Sequence, residues 1–259
     1  MATTLQVSRH GNQLFQVGAA YAQSLRMGEP CELPIDILDR HCGRCSLDAF
    51  FPNWKGRLVF KPAEQITYDN THTEQCYHII DIPAKPRLNM VGLFASTTAH
   101  TPYEQEVRDL FDCKPIIRDA VCVHVRRGDY VQLFAAKAYD LLGPDYYNRA
   151  MDILPYSRYM IVSDDITWCK QNLHRDGRNF CFVDTKDPLD DFRIGCGCKH
   201  FIIANSTFSW WMAYLGTHPD KQVIQPKHWW WPENNTPHLL HVPGWLVLDN
   251  RSLELVNAT

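Results

Sequence analysis

Apolar and polar residues in the second half of the chain follow the pattern of short buried strands separated by helices. The apolar run Ala120–Val125 is typical of a strand that is buried on both faces of a parallel sheet. Further strands are predicted at 159–162, 180–183, 200–204 and 222–224, and helices at 145–154, 167–173, 188–195 and 209–215. Strands that alternate with helices at this spacing predict an α/β domain with a parallel sheet.

The first half of the chain has a weaker pattern. Thr3–Val7 alternates weakly and predicts a strand that runs into a turn. The apolar spacing from Asn12 to Met27 predicts a helix with Asn12 as its N-cap. The stretch Cys31–Pro115 is irregular and rich in Pro, His and aromatic residues, so we expect short strands, loops and one helix around Pro102–Phe111.

The character of the sequence changes near residues 113–119, where we place a linker. A chain of 259 residues allows one large domain or two small ones. The predicted division is therefore into residues 1–118 and 119–259, with the second domain the more regular of the two.

Composition and charge limit the kind of protein this is. With 45% hydrophobic and 21% charged residues, the chain can form a packed core, which excludes a disordered protein. No apolar run approaches the ~18–20 residues of a membrane span, and the N-terminus lacks the features of a signal peptide, so we expect a soluble, cytoplasmic protein. The formal net charge of −3 argues against a nucleic acid or an acidic membrane as the main partner.

The 10 cysteines are scattered and no secretory signal accompanies them, so we expect most of them to be reduced and buried. Cys42 and Cys45 have C-x-x-C spacing, and Cys196 and Cys198 form another close pair. A zinc site is therefore conceivable. The unequal spacings and the lack of a repeated C-x-x-C favour a protein without metal.

Three polar clusters follow predicted strands at their carboxyl ends. Arg126–Asp129 follows the first strand of the regular domain, Ser163–Asp165 the second, and Asn205–Thr207 the fourth. Ligands of open parallel sheets bind outside the carboxyl ends of the strands. The three clusters therefore predict where a ligand binds.

The first cluster contains two adjacent arginines, Arg126 and Arg127. In a strand His124 and Arg126 share one face, so both could point into a cleft. Arginine suits bidentate phosphate binding and keeps its charge at physiological pH. The alternative is a structural ion pair, for example Arg127 with Asp129, but a single acid would leave one arginine unused. Anion binding is therefore the favoured interpretation.

The other polar clusters allow two interpretations each. The hydroxyls of Ser206 and Thr207, with the N–H groups of the following helix, could bind a phosphate or simply cap that helix. Asp164 and Asp165 could cap the next helix or accept hydrogen bonds from a base or a sugar. The aromatic run His228–Pro232 could stack on a sugar, although such runs are more often part of a core or an interface.

Several absent motifs narrow the chemistry. The chain has no Gly-x-Gly-x-x-Gly and no phosphate loop, which disfavours a dehydrogenase or a kinase-like NTPase. It also has no Asp-x-Asp, the pair with which metal-dependent sugar transferases hold a divalent ion. A diphosphate held by arginine and a helix N-terminus, without metal, fits these absences.

Four segments together resemble glycosyltransferase family 11, which comprises α-1,2-fucosyltransferases. They are Gly11–Gln16, His124–Tyr130, Ser163–Cys169 and Lys199–Trp211, in the order seen in that family. The resemblance implies a GT-B-type fold, with two Rossmann-like domains facing a cleft and the donor bound by the C-terminal one. It also implies GDP-fucose as the donor, a galactose-terminated acceptor substituted at O2 with inversion, and no metal cofactor.

The resemblance also suggests roles for single residues. Arg126 is similar to the arginine that holds the β-phosphate of the donor. His124 is similar to a histidine near the guanine or the phosphates, and Asp191 to the acid that reads the guanine edge. The other substrate-binding residues it implies are Arg9, Asn12, Gln13, Arg127, Asp164, Ser206, Thr207 and Phe208. Inversion needs a group that accepts the proton of the incoming hydroxyl, and Asp129 is the candidate because it is close to Arg126 in sequence.

The chain departs from the family pattern at two places in the regular domain. Met212 stands where a glycine commonly follows the tryptophan pair, and Gly195–Gly197 is expected to loosen a segment that is usually more helical. Two alternative functions remain open. One is transfer of a different sugar or formation of a different linkage on the same fold, and the other is a non-catalytic module that binds a nucleotide-sugar or a glycan.

Overall fold

The computed structural model describes residues 2–4, 9–34, 50–73, 82–135, 137–174, 176–230 and 239–256. The chain forms two compact units, Met1–Cys113 and Lys114–Thr259. The boundary therefore precedes the first strand of the second unit. A division at 118/119 would separate Arg118 from the strand that it begins.

The first unit is built on a parallel sheet. Its described strands are β1 (Ala2–Thr4), β2 (Cys31–Pro34), β3 (Leu58–Lys61), β4 (Asn70–Thr73) and β5 (Leu88–Val91). They pair in the order β3-β2-β1-β5-β4, and each pairing is parallel. Its described α-helices are α1 (His10–Met27) and α2 (Glu104–Leu110), and 3₁₀ turns lie at Pro52–Trp54, Ala63–Gln65 and Thr97–His100. The irregular stretch of the sequence thus contains most of this sheet.

Helix α1 begins earlier than the sequence pattern predicts. The predicted N-cap, Asn12, is wrong, because Asn12 is already inside the helix and Arg9 is the extended N-cap residue, with φ −74° and ψ 162°. The helix ends at Met27 as predicted. Gly28 follows with φ 65°, the left-handed conformation that glycine adopts without strain.

The second unit is a doubly wound α/β structure. Its elements are β6 (Arg118–Val125), α3 (Tyr130–Ala135), α4 (Pro144–Ile153), β7 (Arg158–Ser163), α5 (Ile166–Asn172), β8 (Asn179–Val183), α6 (Pro188–Cys196), β9 (Cys198–Ile202), α7 (Thr207–Leu215), β10 (Val223–Pro226), β11 (Leu246–Leu248) and β12 (Leu255–Val256). The strands pair in the order β12-β11-β10-β9-β6-β7-β8. All pairings are parallel except that of β11 with β12.

The predicted strands and helices of this unit are confirmed with small shifts. Strand β9 lies two residues earlier than predicted, which leaves residues 203–206 as a loop before α7. Helix α3 and strands β11 and β12 escaped prediction because they are only six, three and two residues long. Segments this short carry too few positions to show a hydrophobic period.

Strand β6 lies at the point where the winding of the sheet reverses. The chain moves from β6 to β7 and β8 on one side, and then returns to β9 and β10 on the other. The last six residues of β6 are buried, because helices cover both faces of the sheet. In such sheets the crevice at the carboxyl ends of the two central strands is the usual ligand site, and here these strands are β6 and β9.

No helix in the described part of the chain is both long enough and apolar enough to cross a bilayer.

Candidate active site

The loops that follow β6, β7 and β9 meet at the carboxyl edge of the second sheet. Tyr130, at the start of α3, donates its hydroxyl to the backbone oxygen of Asn205 over 3.0 Å. The Asn205 side chain in turn donates to the backbone oxygens of Asp140 and Trp229, at 2.6 and 2.8 Å. These bonds tie the loop after β9 to the start of α3, to the segment after α3 and to the segment after β10.

Arg126 lies between two carboxylates. Its Nη2 donates to Asp129 Oδ1 at 2.6 Å, and its Nη1 lies 2.7 Å from Asp164 Oδ2. The Arg126 side chain is only 17% exposed, whereas those of Asp129 and Asp164 are 32% and 29% exposed. The Arg126 Cζ also lies 5.3 Å from the centre of the Tyr130 ring. The guanidinium is therefore fixed in orientation while one side of its environment remains open to solvent.

Asp164 bridges the loops after β6 and β7. Its Oδ1 accepts a hydrogen bond from the backbone N–H of Arg127 at 2.8 Å, while Oδ2 faces Arg126. This approach is possible because residue 128 is a glycine, where an added Cβ would lie 2.5 Å from Asp164 Oδ2. Asp164 does not cap α5. That role belongs to Asp165, whose Oδ1 accepts from the Trp168 N–H at 2.9 Å.

Arg127 points to helix α5. Its Cζ lies 4.0 Å from the centre of the Trp168 ring, and its Nε lies 3.7 Å from Asp165 Oδ2. The ion pair that the sequence suggested as an alternative, Arg127 with Asp129, is wrong in its partners, because Asp129 pairs with Arg126 and Arg127 with Asp165. Arg127 thus anchors the loop after β6 on the neighbouring helix.

His124 is buried next to this cluster. Burial, and to a smaller extent the charge of Arg126, lower the pKa of His124 to about 3, so the ring is neutral at physiological pH. Its ring centre lies 5.6 Å from that of Phe208, which lies 5.1 Å from that of Phe192. Among the described residues, the Nδ1 of His124 has no hydrogen-bond partner. A neutral donor or acceptor is therefore available at the end of β6.

The N-terminus of α7 faces the same edge of the sheet. Ser206 is the N-cap residue and is buried, but its side chain makes no capping hydrogen bond. Ser209 occupies nearby acceptors instead, donating towards the backbone oxygens of Ala204 and Ser206 at 3.0 and 2.9 Å. Thr207 and Phe208 form the first turn and are partly exposed. The Ser206 side chain therefore does not cap α7, and the capping alternative is wrong for this residue.

Asp191 lies on α6, away from the two arginines in sequence. Its Oδ1 accepts hydrogen bonds from the Thr185 hydroxyl at 2.7 Å and from the Thr185 N–H at 3.2 Å. Asp187 caps the same helix through Leu189 N–H, at 2.9 Å. Thr185 therefore fixes the direction of the Asp191 carboxylate.

The remaining site predictions lie in the first unit, at the start of α1. Arg9 is exposed, Asn12 is partly buried and Gln13 is 1% exposed. The Gln13 N–H donates to the backbone oxygen of Arg9 over 3.0 Å. These residues therefore share the first turn of one helix.

The close cysteine pairs and the aromatic run 228–232 were considered in the sequence for a zinc site and for sugar stacking. Cys196 and Cys198 are buried cysteines, and Cys42 and Cys45 lie outside the described residues. The described residues contain no group of three or more His, Cys, Asp or Glu side chains that could hold a metal ion. Trp229 and Trp230 are buried, as expected for a core, and positions 231–232 lie outside the described residues.

Sequence reasoning missed four residues that shape this site: Gly128, Tyr130, Trp168 and Thr185. Gly128, Tyr130 and Trp168 lie in segments that the sequence analysis quotes, but their roles depend on contacts in the folded chain, and so does the role of Thr185. Of the four, Gly128 is the one whose role could have been predicted from the sequence, since a glycine between an arginine pair and an acid at a strand end indicates a close approach of another group.

The family model described as Glycosyl transferase family 11 matches residues 105–245, just over half of the chain. The chain belongs to glycosyltransferase family 11. It is therefore a glycosyltransferase, as its motifs predict. The match begins within the first unit and includes the loops after β6, β7 and β9.

Individual relatives agree with this assignment. The transferase is 26% identical over 260 residues to an alpha-1,2-colitosyltransferase from Escherichia coli, covering 85% of this chain and 89% of the relative. It is 34% identical over 135 residues to the O-antigen biosynthesis glycosyltransferase WbnK from Escherichia coli, covering 49% of this chain and 43% of WbnK. It therefore aligns with less than half of WbnK but with most of the colitosyltransferase.

A solved structure is similar in fold. The crystal structure of the fucosyltransferase NodZ from Bradyrhizobium has a TM-score of 0.50 and 10% identity to this chain, covering 82% of this chain and 91% of NodZ. At this identity the likeness concerns the fold alone, and the predicted GT-B-type α/β fold is confirmed.

Proposed function

We propose that this transferase moves fucose from GDP-fucose to O2 of a galactose-type acceptor, with inversion and without a metal ion. The observation that carries the proposal is the placement of Arg126. It follows β6 at the switch point between β6 and β9, is fixed in direction by two carboxylates and is partly exposed. The Tyr130 ring next to it is hydrogen-bonded to the backbone of Asn205, two residues before α7 begins.

The donor diphosphate would lie between Arg126 and the first turn of α7. Backbone N–H groups at a helix N-terminus bind phosphate well. The hydroxyl of the N-cap Ser206, which makes no capping hydrogen bond, can add another. Thr207 and Phe208 border the same position. Arg126 adds the positive charge that this site needs in the absence of a whole-surface basic field.

The guanine is proposed to contact Asp191 and His124, as the family resemblance implies. Asp191 presents a carboxylate that Thr185 orients, and a carboxylate is the natural acceptor for the N1–H and 2-amino groups of guanine. His124 is neutral and its Nδ1 has no partner in the part of the chain that the structure describes, so it can donate or accept one hydrogen bond near the guanine or the phosphates. This assignment rests on the family resemblance together with these contacts.

The proposed catalytic roles follow from the charges that develop on the donor as its bond between fucose and phosphate breaks. Breaking the bond between fucose C1 and the β-phosphate oxygen leaves positive charge on the sugar and an additional negative charge on the diphosphate. A preorganised guanidinium stabilises that negative charge more in the transition state than in the ground state, which is the condition for catalysis. The proton of the acceptor hydroxyl goes to a base, for which we propose Asp129.

Two predicted substrate-binding residues have contacts that favour a different role. Both oxygens of Asp164 face arginine N–H groups, and the guanidinium of Arg127 stacks on Trp168. We therefore propose that Asp164 and Arg127 position Arg126 rather than bind the donor directly. Arg9, Asn12 and Gln13 remain predicted contacts of the fucose or the diphosphate from the first unit.

The donor assignment is tested by calorimetry and thermal shift with GDP, GDP-fucose, GDP-mannose, UDP-galactose and NAD, each with and without EDTA. A nucleotide at tenfold its Kd adds about 1.4 kcal/mol of stability, which is readily measured as a rise in Tm. We expect GDP and GDP-fucose each to bind with the same affinity in the presence of EDTA as in its absence. Binding of UDP-sugars alone, or binding that EDTA abolishes, would contradict the donor assignment.

A second candidate is transfer of a related deoxy sugar from its GDP derivative. It is favoured by the similarity to an alpha-1,2-colitosyltransferase, which covers more of this chain than the similarity to WbnK does. Colitose is fucose without its 3-hydroxyl, so both donors present the same diphosphate to Arg126. The ratio of kcat/KM for GDP-fucose and GDP-colitose, each measured through release of GDP, separates the two candidates. Lack of GDP release from either donor would instead favour a binding module.

A further inference from the structure

Two asparagines outside the arginine cluster bridge the same pair of chain segments. Asn205, directly before the N-cap of α7, donates to the backbone oxygens of Asp140 and Trp229, at 2.6 and 2.8 Å. Asn250, after β11, donates from Nδ2 to Asp140 Oδ2 at 3.0 Å and accepts from the His228 N–H at 2.9 Å. Both side chains therefore hold the segment between α3 and α4 to the segment that follows β10.

The bonds of Asn205 determine where helix α7 begins in space. An asparagine amide has two N–H donors, and both donors of Asn205 have an acceptor. The side chain is buried, so water is not at hand to replace a lost bond. The next residue is Ser206, the N-cap of α7. A shift of Asn205 therefore moves the first N–H groups of α7, which the donor phosphates would contact.

The acceptors of Asn205 lie in segments outside the strands and helices. These segments meet in an isolated β-bridge between Tyr139 and Trp230. Backbone groups outside regular structure take side chains or water as partners, so side-chain contacts help to determine where such segments lie. Asn250 supplies one contact to each of the two segments.

The turn that carries Asn250 is itself fixed. Asp249 Oδ1 accepts hydrogen bonds from the N–H groups of Arg251 and Ser252, at 2.9 and 3.2 Å, and its Oδ2 lies 2.7 Å from Lys227 Nζ. The Asp249 side chain is buried. Asn250 therefore reaches its two partners from a defined position.

We propose that Asn250 is a positioning residue of the donor site, which acts through Asp140, His228 and Asn205 on the N-terminus of α7. The inference rests on the proposed function, because it takes the donor diphosphate as the ligand of that N-terminus. Asn250 acts at a distance, since its amide is bonded to Asp140 and to His228. The effect therefore falls on the phosphates, and the guanine contacts on other elements stay unchanged.

The contacts select Asn250 rather than its neighbour Arg251. The Nη2 of Arg251 lies 3.0 Å from Asp140 Oδ2, so it reaches the same carboxylate, but its side chain is 39% exposed. That contact holds one of the two segments. Asn250 reaches His228 as well, and so it fixes the segments relative to each other.

Asn250→Asp tests this role, because a carboxylate of the same shape has no N–H to donate to Asp140. It keeps an oxygen for the His228 N–H. We expect the Kd of GDP to rise about fivefold to tenfold, while the Kd of guanosine, which lacks the phosphates, stays within about twofold of the wild-type value. Calorimetry measures both constants. An equal loss for GDP and guanosine would show a general defect of the fold and overturn the proposal.

Exchange of the two groups should restore the bond. In the double variant Asp140→Asn/Asn250→Asp the amide at position 140 can donate to the carboxylate at position 250, and the net charge is that of the wild type. The backbone oxygen that Asn205 contacts is unchanged. We expect the Kd of GDP to return to within about twofold of the wild-type value. Binding as weak as in Asn250→Asp would contradict a role for this bond.

Asn148→Asp is the control for added charge in the same unit. Asn148, on α4, accepts a hydrogen bond from the His174 N–H through its Oδ1 at 3.0 Å, and an aspartate keeps that oxygen. We expect the Kd of GDP to change by less than about twofold. If Asn148→Asp weakens GDP binding as much as Asn250→Asp does, the loss is an effect of general charge and the positioning role is wrong.

The outcomes separate this inference from the proposed function. If the wild-type protein binds no GDP, the proposed function fails and the inference fails with it. If the wild type binds GDP and folded Asn250→Asp binds it equally well, the positioning role alone is wrong. Asn250→Ala, which removes both bonds without adding a charge, repeats the measurement with the same expected loss if the aspartate variant does not fold.

Discussion

The orientation of Arg126 depends on Gly128, because a glycine at this position leaves room for the carboxylate of Asp164. Asp164 reaches Arg126 over Gly128, and its two oxygens are held there by the Arg127 N–H and the Arg126 guanidinium. A Cβ at position 128 would lie 2.5 Å from Asp164 Oδ2. The sequence predicts Arg126 and Asp129 as neighbours because they share one loop. The sequence also places Asp164 at the same edge of the sheet, but it does not predict the ion pair of Asp164 with Arg126, since that contact depends on β6 and β7 being adjacent.

Gly128→Ala should therefore weaken the site without adding or removing a charge. The methyl group pushes the Asp164 carboxylate away from Arg126, and we expect turnover to fall by about tenfold, or about 1.4 kcal/mol in the barrier. The measurement is kcat for GDP release with GDP-fucose.

Gly143→Ala is the matched control for this substitution. Gly143 has φ −83° and nothing lies within 4 Å of an added Cβ. The turnover of the Gly143→Ala variant should therefore equal that of the wild type. Wild-type turnover in Gly128→Ala as well would show that the position of Asp164 does not determine how Arg126 acts.

Helices α6 and α7 pack against each other through a glycine and a methionine. A Cβ at Gly195 would lie 2.3 Å from the Sδ of Met212, which is fully buried. The two departures from the family pattern are thus in contact, and the Met212 side chain occupies the space that the glycine leaves. Gly195 does not loosen the segment as expected, because α6 continues to Cys196. Hydrophobic periodicity predicts α6 and α7, but no feature of the sequence shows that these two positions touch.

A double-mutant cycle tests this packing. Gly195→Ala should destabilise the second unit by about 1–3 kcal/mol through overpacking, and Met212→Ala by about 2–5 kcal/mol through a cavity. The double variant should lose at least about 1 kcal/mol less than the sum of the single losses, because the smaller residue at position 212 makes room for the methyl group added at position 195.

Denaturation in urea, monitored for the second unit, measures the three losses. Additivity within about 0.5 kcal/mol would contradict a direct contact between the two positions.

At the scale of the whole chain, both units contain a parallel sheet with helices, but they differ in how well their secondary structure can be predicted from the sequence. The second unit was largely predicted because its strands are continuous apolar runs with helices of regular spacing between them. In the first unit the strands are three to four residues long, so the sheet is visible only in the pairing of strands that are distant in sequence. The site was predicted through its loops, because a parallel sheet brings the carboxyl ends of its strands to one edge.

Each unit also contains a buried neutral histidine, and this predicts how stability depends on pH. Burial lowers the pKa of His100 to about 3, and burial together with Arg126 lowers that of His124 to about 3. The unfolded chain takes up a proton on each near pH 6.5, whereas the folded chain does not. Stability from this source is therefore complete above pH 6.5 and is lost progressively as the pH falls towards 3.

Urea denaturation between pH 7.5 and pH 5 measures this loss, at up to about 1.4 kcal/mol per pH unit for each histidine once the pH is well below 6.5. In His100→Gln the slope for the first unit should become smaller. An unchanged slope in that variant would mean that His100 is protonated in the folded protein.

The central claim is that Arg126 stabilises the charge that develops on the donor diphosphate. The most direct measurement is kcat/KM for GDP-fucose in folded Arg126→Lys, which keeps a cation between the two carboxylates but loses the planar fork of the guanidinium. Arg149→Lys is the control, because Arg149 is exposed and its Nε contacts the backbone oxygen of Leu253. We predict a loss of about 10²–10³-fold for Arg126→Lys and none for Arg149→Lys. Wild-type turnover in folded Arg126→Lys would contradict this role of Arg126.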